Sequence, residues 1–171
     1  DGLRTFSHPG QGERRPTDLH KSIDVALSLV EGKLKYRVDV RREYGEIGLV
    51  RCDPGALCQV FVNILDNAQQ AIQGPGQITV RTWREGERVH VAIRDTGEGI
   101  PAANRAKIFD PFFTTREVGK GTGLGLSISY SIVKEHGGEI RVASEVGRGS
   151  EFTIVLPAGV PAPAPAPAPV P

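Results

Sequence analysis

The sequence lacks the features that mark several large classes of protein. Its 171 residues include only two cysteines, Cys52 and Cys58, too few for a disulfide framework and without the spacing of metal ligands. We therefore expect both to be buried or half-buried apolar side chains. Lysine and arginine total 21 against 20 aspartates and glutamates, a net charge of +1. This balance argues against nucleic acid as a partner, because domains that bind it usually carry a marked basic excess.

Long apolar runs are also missing. No run approaches the roughly 18 residues that a membrane-spanning helix needs, and the first residues do not form the apolar segment of a signal peptide. We therefore expect a cytoplasmic location and no direct membrane contact from this segment. Aromatic residues make up only 6% of the chain, whereas there are 21 glycines and 13 prolines. These glycines and prolines cluster, and the clusters divide the chain.

Composition divides the chain into three parts. Residues 1–16 are poor in patterns of regular structure and are expected to be a linker. Residues 157–171 consist largely of alanine and proline, which favour a semi-rigid polyproline II spacer. Residues 17–156 remain as one domain without internal repeats.

Hydrophobic periodicity within 17–156 predicts helices and strands in one layered domain. A helix is expected to begin after Asp18, a second after Asp53 and a third near Leu124, because apolar residues there recur at helical spacing. Residues 78–95 and 140–156 alternate as two hairpins, and two short extended runs lie between the first two helices. The expected fold is a two-layer α/β sandwich, in which three helices cover one face of a mixed sheet of about five strands.

The stretch from Thr96 to Thr122 has no periodicity and is bounded by glycines. Loops of this length in compact domains are usually functional or disordered. Its last part, Gly119–Leu126, leads into the third helix, so backbone N–H groups there are expected to face one point near the positive helix end. Lys120 adds a cation. This arrangement suits a phosphate chain, although neither a P-loop nor a dinucleotide-binding fingerprint is present. A flexible hinge without a ligand remains the alternative.

The second predicted helix carries three amide side chains on one stripe. Asn63, Asn67 and Gln70 stand at positions i, i+4 and i+7, beside the apolar face. An amide oxygen is a hard ligand of the kind that Mg²⁺ takes together with substrate phosphates and waters. Considered alone, such a stripe is more often a solvated polar face.

Four motifs occur in the order found in the ATP-binding domains of histidine kinases. The chain resembles the N, G1, F and G2 boxes of that family at residues 63–68, 95–99, 109–113 and 121–126. The resemblance covers about 17–156, extends to the turns at 136–138 and 147–150, and implies the Bergerat fold shared with gyrase, Hsp90 and MutL. ATP and Mg²⁺ are the implied cofactors. Residues 3–9 resemble the exit of the dimerisation hairpin of the family, so residues 1–16 are expected to be a linker or the end of a truncated dimerisation hairpin.

The resemblance also implies a role for individual residues. Asp95 would accept a hydrogen bond from the adenine amino group, and Asn67 would hold Mg²⁺. Asn63 would assist at the phosphates, and Asn63 and Asn67 would be the two catalytic residues. Where this chain has Gln70 many relatives have a basic residue, so Lys120 or Arg116 could supply that charge. In the family, the phenylalanines at 109, 112 and 113 fasten the loop and face the partner domain. The candidate nucleotide-binding residues are Asn63, Asn67, Gln70, Ala71, Asp95, Gly97, Gly99, Ile100, Lys120, Gly121, Thr122, Gly123, Leu124, Gly125 and Leu126.

Groups that would let the chain act alone are missing. Hydrolytic relatives have a carboxylate as general base one turn before the metal-binding asparagine, whereas this chain has Asn63, and an amide cannot take a proton. No histidine stands in the context of a phosphoacceptor. His8 is followed by Pro9 and Gly10, and His20 and His90 are expected at the surface. His136 precedes a glycine helix cap.

These observations lead to one function and two alternatives. The leading hypothesis is the catalytic ATP-binding domain of a two-component sensor histidine kinase. It would present the ATP γ-phosphoryl group to a histidine in a helical dimerisation domain outside this sequence, from which a response regulator would receive it. The alternatives are a nucleotide-binding regulatory module without phosphotransfer, and a serine kinase or ATPase of the same fold.

Overall fold

The computed structural model describes residues 12–116, 121–164 and 167–170. Over these ranges the chain forms seven strands and four helices. In chain order they are β1 (Arg15–Thr17), α1 (Leu19–Leu34), β2 (Val38–Tyr44), β3 (Val50–Cys52), α2 (Pro54–Ala71), β4 (Gly76–Glu85), β5 (Arg88–Asp95), α3 (Ala102–Arg105), α4 (Gly125–Glu135), β6 (Glu139–Glu145) and β7 (Gly149–Pro157).

The main sheet has five strands in the order β2-β4-β5-β7-β6. Strands β2 and β4 are parallel and every other neighbouring pair is antiparallel, so the sheet is mixed. Strands β1 and β3 form a separate antiparallel pair. The predicted two-layer α/β sandwich with a mixed five-stranded sheet is therefore confirmed. The single-turn helix α3 was not predicted, because four residues are too few to show a helical period.

The core lies between the sheet and the three long helices. Helix α2 contacts both α1 and α4, and its apolar residues face the sheet. All six residues of its predicted apolar face are buried, which confirms the helical spacing seen in the sequence: Leu57, Phe61, Ile64, Leu65, Ala68 and Ile72. Each large apolar side chain removed from water contributes about 1.5–3 kcal/mol to folding, so this face fixes α2 on the sheet.

Two aspartates start the first two long helices, as the sequence predicts. The Asp18 side chain accepts a hydrogen bond from the backbone N–H of His20, and Asp53 accepts from Gly55 and Ala56. Both cap the free N–H groups of a first helical turn. Pro54 follows as the first residue of α2, where its missing N–H costs nothing.

The expected surface positions of His20 and His90 are wrong. His90 is only 6% exposed because the Trp83 ring stacks on it at a centroid distance of 4.8 Å, on the sheet face opposite the helices. His20 is half-buried, stacked on Tyr44 at 4.2 Å, with its Nε2 2.7 Å from Thr82 Oγ1. Aromatic neighbours on adjacent strands and helices cover both rings, and periodicity along one element does not reveal such neighbours.

The structured part of the chain extends slightly beyond both predicted boundaries of the domain, residues 17 and 156. Strand β1 begins at Arg15, and Ala158, after β7, is fully buried. The backbone of Ala158 forms hydrogen bonds with the backbone of Glu87 and of Arg51.

Cys52 is buried and Cys58 is half-buried, and both are free thiols, as expected. None of the helices formed by the described residues is long and apolar enough to span a membrane.

Candidate functional site

A cavity of about 1140 Å³ opens between α2, the loop that joins β5 to α4, and the end of the sheet. This volume is at the upper end of the range typical of small-molecule sites. Its lining includes twelve of the fifteen candidate binding residues: Asn63, Asn67, Gln70, Ala71, Asp95, Gly99, Ile100, Gly121, Thr122, Gly123, Gly125 and Leu126. Gly97 and Leu124 do not line it, and Lys120 lies outside the described residues.

Asp95 ends β5 and closes the floor of the cavity. Its side chain is almost completely buried, with 2% of the residue exposed, and its Oδ1 accepts a hydrogen bond from the backbone N–H of Gly97 at 2.8 Å. Burial raises the pKa of this carboxyl group, while hydrogen bonds from the backbone of Gly97 and Ser150 oppose the rise. A carboxylate held in this way offers a fixed acceptor in a place that excludes water.

Glycines are required where the loop leaves Asp95. A Cβ atom at Gly97 would lie 2.6 Å from the carbonyl oxygen of Ala71, and one at Gly99 would overlap the carbonyl oxygen of Glu145. Gly99 also has φ +75°, which disfavours other residues. Gly97 therefore does not line the cavity but lies behind its wall. Because it has no side chain, the loop can pack directly against the end of α2.

The three amides of α2 all line the cavity, and each has a hydrogen-bond partner within the protein. Asn63 Nδ2 donates to the carbonyl oxygen of Gly125 at 3.0 Å and to Ser129 Oγ at 3.1 Å, which joins α2 to the first turn of α4. Gln70 Nε2 donates to Asp66 Oδ2 at 2.6 Å. Asp66 also pairs with Lys33 at 2.7 Å. The stripe is thus held in place by neighbouring elements.

Asn67 has a charged partner. Arg116 Nη2 donates a hydrogen bond to Asn67 Oδ1 at 3.0 Å, across the cavity from the loop to α2. Among the lining residues that the structure describes, Arg116 is the only cation, beside the carboxylates of Asp66, Asp95 and Glu98. Of the two cations that the sequence suggested for this region, Arg116 is therefore present in the site.

The glycine-rich segment before α4 forms the opposite wall. Gly123 has φ +68°, and a Cβ atom there would lie 2.5 Å from the carbonyl carbon of Phe112. Phe112 N–H donates to the carbonyl oxygen of Gly123 at 2.9 Å, so the middle of the loop is bonded to the segment just before α4. No side chain caps the start of α4 at Leu124. The free N–H groups of its first turn suit an anion.

The phenylalanines of the loop have different environments. Phe109 is half-buried, 5.5 Å from the Tyr130 ring and 6.5 Å from that of Phe152 between ring centroids. Phe113 packs against the core and lines the cavity. Phe112, in contrast, is 72% exposed, with φ +66°. Two rings anchor the loop and one lies on the surface.

Sequence reasoning missed part of the lining. Ser150 and Phe152 come from β7, where Ser150 stands opposite Asp95 in the strand register. Alternation predicts which side of a strand a residue occupies, but it does not give the register between strands that lie far apart in the chain. The other lining residues that were not singled out are Asp66, Gln73, Glu98, Pro101, Asn104, Ile108, Thr114 and Thr115.

Comparison with known proteins identifies one matching family. The model of the family described as "Histidine kinase-, DNA gyrase B-, and HSP90-like ATPase" matches residues 52–160. The signal transduction histidine-protein kinase AtoS of Escherichia coli K12 is 40% identical over 158 residues, which cover 91% of this chain and 26% of AtoS. The chain therefore spans about a quarter of the length of that relative.

Two solved structures are similar to the fold. Full-length ShkA in complex with AMPPNP matches with a TM-score of 0.80 and 25% identity, covering 90% of this chain and 33% of ShkA. The histidine kinase ThkA in complex with the response regulator TrrA matches with a TM-score of 0.73 and 30% identity, covering 85% of this chain and 42% of the matched chain. Both similarities extend over most of the described domain.

Proposed function

The chain belongs to the family of histidine kinase-, DNA gyrase B- and HSP90-like ATPases, and from this we propose the reaction in which it takes part. The domain is the catalytic ATP-binding domain of a histidine kinase. In the proposed reaction it presents the ATP γ-phosphoryl group to a histidine of a helical dimerisation domain, from which a response regulator accepts it. The ThkA complex with TrrA supports such a regulator as the partner.

The observation that carries the proposal is the position of Asp95 opposite the amide stripe of α2. Membership of an ATPase family implies ATP as the ligand, and ShkA was solved with the ATP analogue AMPPNP. In our proposal the buried Asp95 carboxylate accepts a hydrogen bond from the adenine amino group. Ile100 and Leu126 line the site for the base, and Gly121, Gly123 and Gly125 surround the phosphates with backbone N–H groups.

The donor atoms of the site fit a magnesium ion held mainly by the nucleotide. Among the described residues there is no group of three His, Cys, Asp or Glu side chains that could hold a metal by itself. Mg²⁺ is often bound through one or two protein oxygens together with phosphates and waters. We assign Asn67 Oδ1 as the protein ligand. When bound, the ion would neutralise phosphate charge.

The site can position ATP, but it lacks the particular general base that hydrolytic relatives use to activate water. Asn63 stands where hydrolytic relatives have a carboxylate, and its amide nitrogen bonds to Gly125 and Ser129. Asp66 lies on the same helix, but Lys33 and Gln70 already bond its two oxygens. Catalysis in this proposal comes from the positioning of ATP and from charge neutralisation, and the nucleophile comes from another domain.

Each histidine that the structure describes makes contacts within the domain that hold its ring in place. His136 is buried with both ring nitrogens in hydrogen-bonding contact, His90 lies under Trp83, and His20 contacts Thr82. His8 lies outside the described residues. The phosphoacceptor histidine is therefore proposed to lie in the helical domain. Phe112, the exposed ring of the loop, is the residue that we propose to contact that domain.

Incubation with γ-labelled ATP tests the proposal. We expect the chain alone to bind ATP without becoming labelled and without steady release of phosphate. When the chain is mixed with the helical dimerisation domain, we expect acid-labile label on that domain. Transfer should be slow because the tether between the domains is lost. A variant of the helical domain without its phosphoacceptor histidine is the control.

Other outcomes favour the alternatives. Acid-labile label on this chain would assign the phosphoacceptor to one of its own histidines, and phosphate release without label would favour an ATPase. Acid-stable, base-labile label would favour a serine kinase. ATP binding without transfer to an authentic acceptor domain would favour a regulatory module.

A further inference from the structure

Arg116 is held in the cavity by three neighbours. Its guanidinium donates to Asn67 Oδ1 at 3.0 Å, and its backbone N–H donates to Thr114 Oγ1 at 3.1 Å. Gly121 lies beside its side chain, since a Cβ atom at that glycine would be 3.2 Å from Arg116 Cδ and 3.3 Å from Nη1. The absence of a side chain at Gly121 therefore leaves the space that Arg116 occupies on its way to α2.

The atom that Arg116 contacts is the same atom that the proposed function assigns to the metal. Asn67 can offer a cation only its Oδ1, because its other terminal atom is an amide donor. Residues that merely orient a metal ligand generally bond the part of the ligand that the metal does not use, as a carboxylate does on the far nitrogen of a zinc-bound histidine. An orienting partner of Asn67 would accept from its Nδ2. Arg116 instead donates to Oδ1.

We propose that Arg116 is a positioning residue that competes with a divalent cation for Asn67 Oδ1, so that its guanidinium must release this oxygen before the cation binds there. Two cations that share one oxygen repel each other at close range, and this repulsion is strong where water is partly excluded. The guanidinium and the metal therefore exclude each other at Asn67 Oδ1. This inference rests on the proposed function of the site.

The charges around the cavity agree with such a role. The described lining has three carboxylates, of Asp66, Asp95 and Glu98, and no cation other than Arg116. Lys33 already pairs with Asp66, so Arg116 is the one described lining cation that offsets the charge of the other two carboxylates. The bond from Arg116 keeps the side-chain amide of Asn67 oriented toward the cavity. In this proposal the affinity of the site for a metal ion therefore depends on the position of the loop that carries Arg116.

The competition predicts a change in the magnesium dependence of nucleotide binding. The measured quantity is the ratio of the ADP affinity with Mg²⁺ to that without Mg²⁺, determined by calorimetry. We expect this ratio to rise in Arg116→Ala by about three- to tenfold, the effect expected when one hydrogen bond no longer has to be exchanged. ADP is chosen because contacts of Arg116 with a γ-phosphate then play no part. Lys107→Ala is the control, since Lys107 is an exposed cation of the same loop.

A second measurement does not depend on nucleotide. The side-chain amide resonances of Asn67 in the empty protein should shift in Arg116→Ala and remain in place in Lys107→Ala. Thermal unfolding of each variant verifies that it is folded.

The possible outcomes separate this inference from the proposed function. A higher ratio together with a shifted Asn67 resonance supports the competition. A ratio that is unchanged or lower in Arg116→Ala overturns it, and a lower ratio would make Arg116 a supporting partner of the metal ligand. In both cases the proposed function stands if the wild-type protein binds ADP in a magnesium-dependent manner. If the wild-type protein does not bind ADP, the proposed function fails and the inference fails with it.

Discussion

The imidazole of His136 accepts a hydrogen bond from the backbone N–H of Asp53 at 3.1 Å, although the two residues are 83 positions apart. The other ring nitrogen, Nδ1, lies 2.7 Å from the carbonyl oxygen of Ile132 and donates to it. The two contacts define a neutral ring with its proton on Nδ1. The end of α4 is thereby joined to the residue that caps α2, the helix that carries the amide stripe.

Replacing His136 should destabilise the domain. In His136→Ala the buried N–H of Asp53 loses its acceptor, which should lower the free energy of unfolding by about 1–3 kcal/mol. Urea denaturation measures this change. Ser131→Ala, at an exposed position of the same helix, is the matched control. Equal stability of the two variants would show that the contact between His136 and Asp53 does not contribute to the stability of the domain.

Asp95→Asn should weaken adenine nucleotide binding because the replacement offers an amide in place of a purely accepting carboxylate. The expected loss is about 1–3 kcal/mol, which corresponds to roughly 5- to 150-fold in affinity. Calorimetry with ADP measures the loss, and Asp39→Asn, at an exposed position of β2, controls for the change in net charge. Unchanged affinity in Asp95→Asn would remove Asp95 from the adenine site.

Acid should weaken binding through the same carboxyl group. Burial raises the pKa of Asp95 above the ordinary value of 3.8, so protonation begins at a higher pH than for an exposed aspartate. Because the ionised form is assigned to the adenine amino group, ADP affinity should fall as the pH is lowered through this raised pKa. The effect on folding stability is opposite to the effect on binding. Because the pKa of Asp95 is higher in the native state than in the unfolded chain, protonation of Asp95 stabilises the native state at low pH.

A pH series of ADP affinity tests this assignment. The wild-type affinity should fall on acidification, whereas that of Asp95→Asn should remain flat over the same range. The same slope in both proteins would attribute the effect to another group.

Asn67→Ala should remove most of the magnesium dependence of ADP binding. The ratio of affinities with and without Mg²⁺ should fall by about tenfold, the scale of losing one contact with a charged group. Adenosine, which has no phosphates, should bind the wild-type protein and the variant equally well. A parallel loss for ADP and adenosine would instead indicate that Asn67 supports the structure of α2.

Local patterns in the sequence predicted most of the fold because they record single elements. The spacing of Leu57, Phe61 and Ile64 predicted α2 and its buried face, and Asp53 followed by Pro54 predicted where this helix begins. Contacts between distant elements were not predictable in this way. The burial of His90 depends on Trp83 in the neighbouring strand.

The same limit applies to the site. Motifs on α2, after β5 and before α4 indicated twelve of the residues that line the cavity, since these motifs are local. Ser150 joins Asp95 only through the register of two strands. The contact of Arg116 with Asn67 joins a loop without periodicity to a helix 49 residues away, and no spacing in the sequence gives its direction.

Strand β3 joins the two flanks of the domain. Arg15 on β1 pairs with Cys52 of β3, and the N–H of Arg51, the preceding residue of β3, donates to the carbonyl oxygen of Ala158 after β7. A pulling force applied before β1 or after β7 would thus load the same three-residue strand. Asp53, which caps α2, directly follows that strand, so mechanical tension applied before β1 would reach the helix that carries Asn67 through β3.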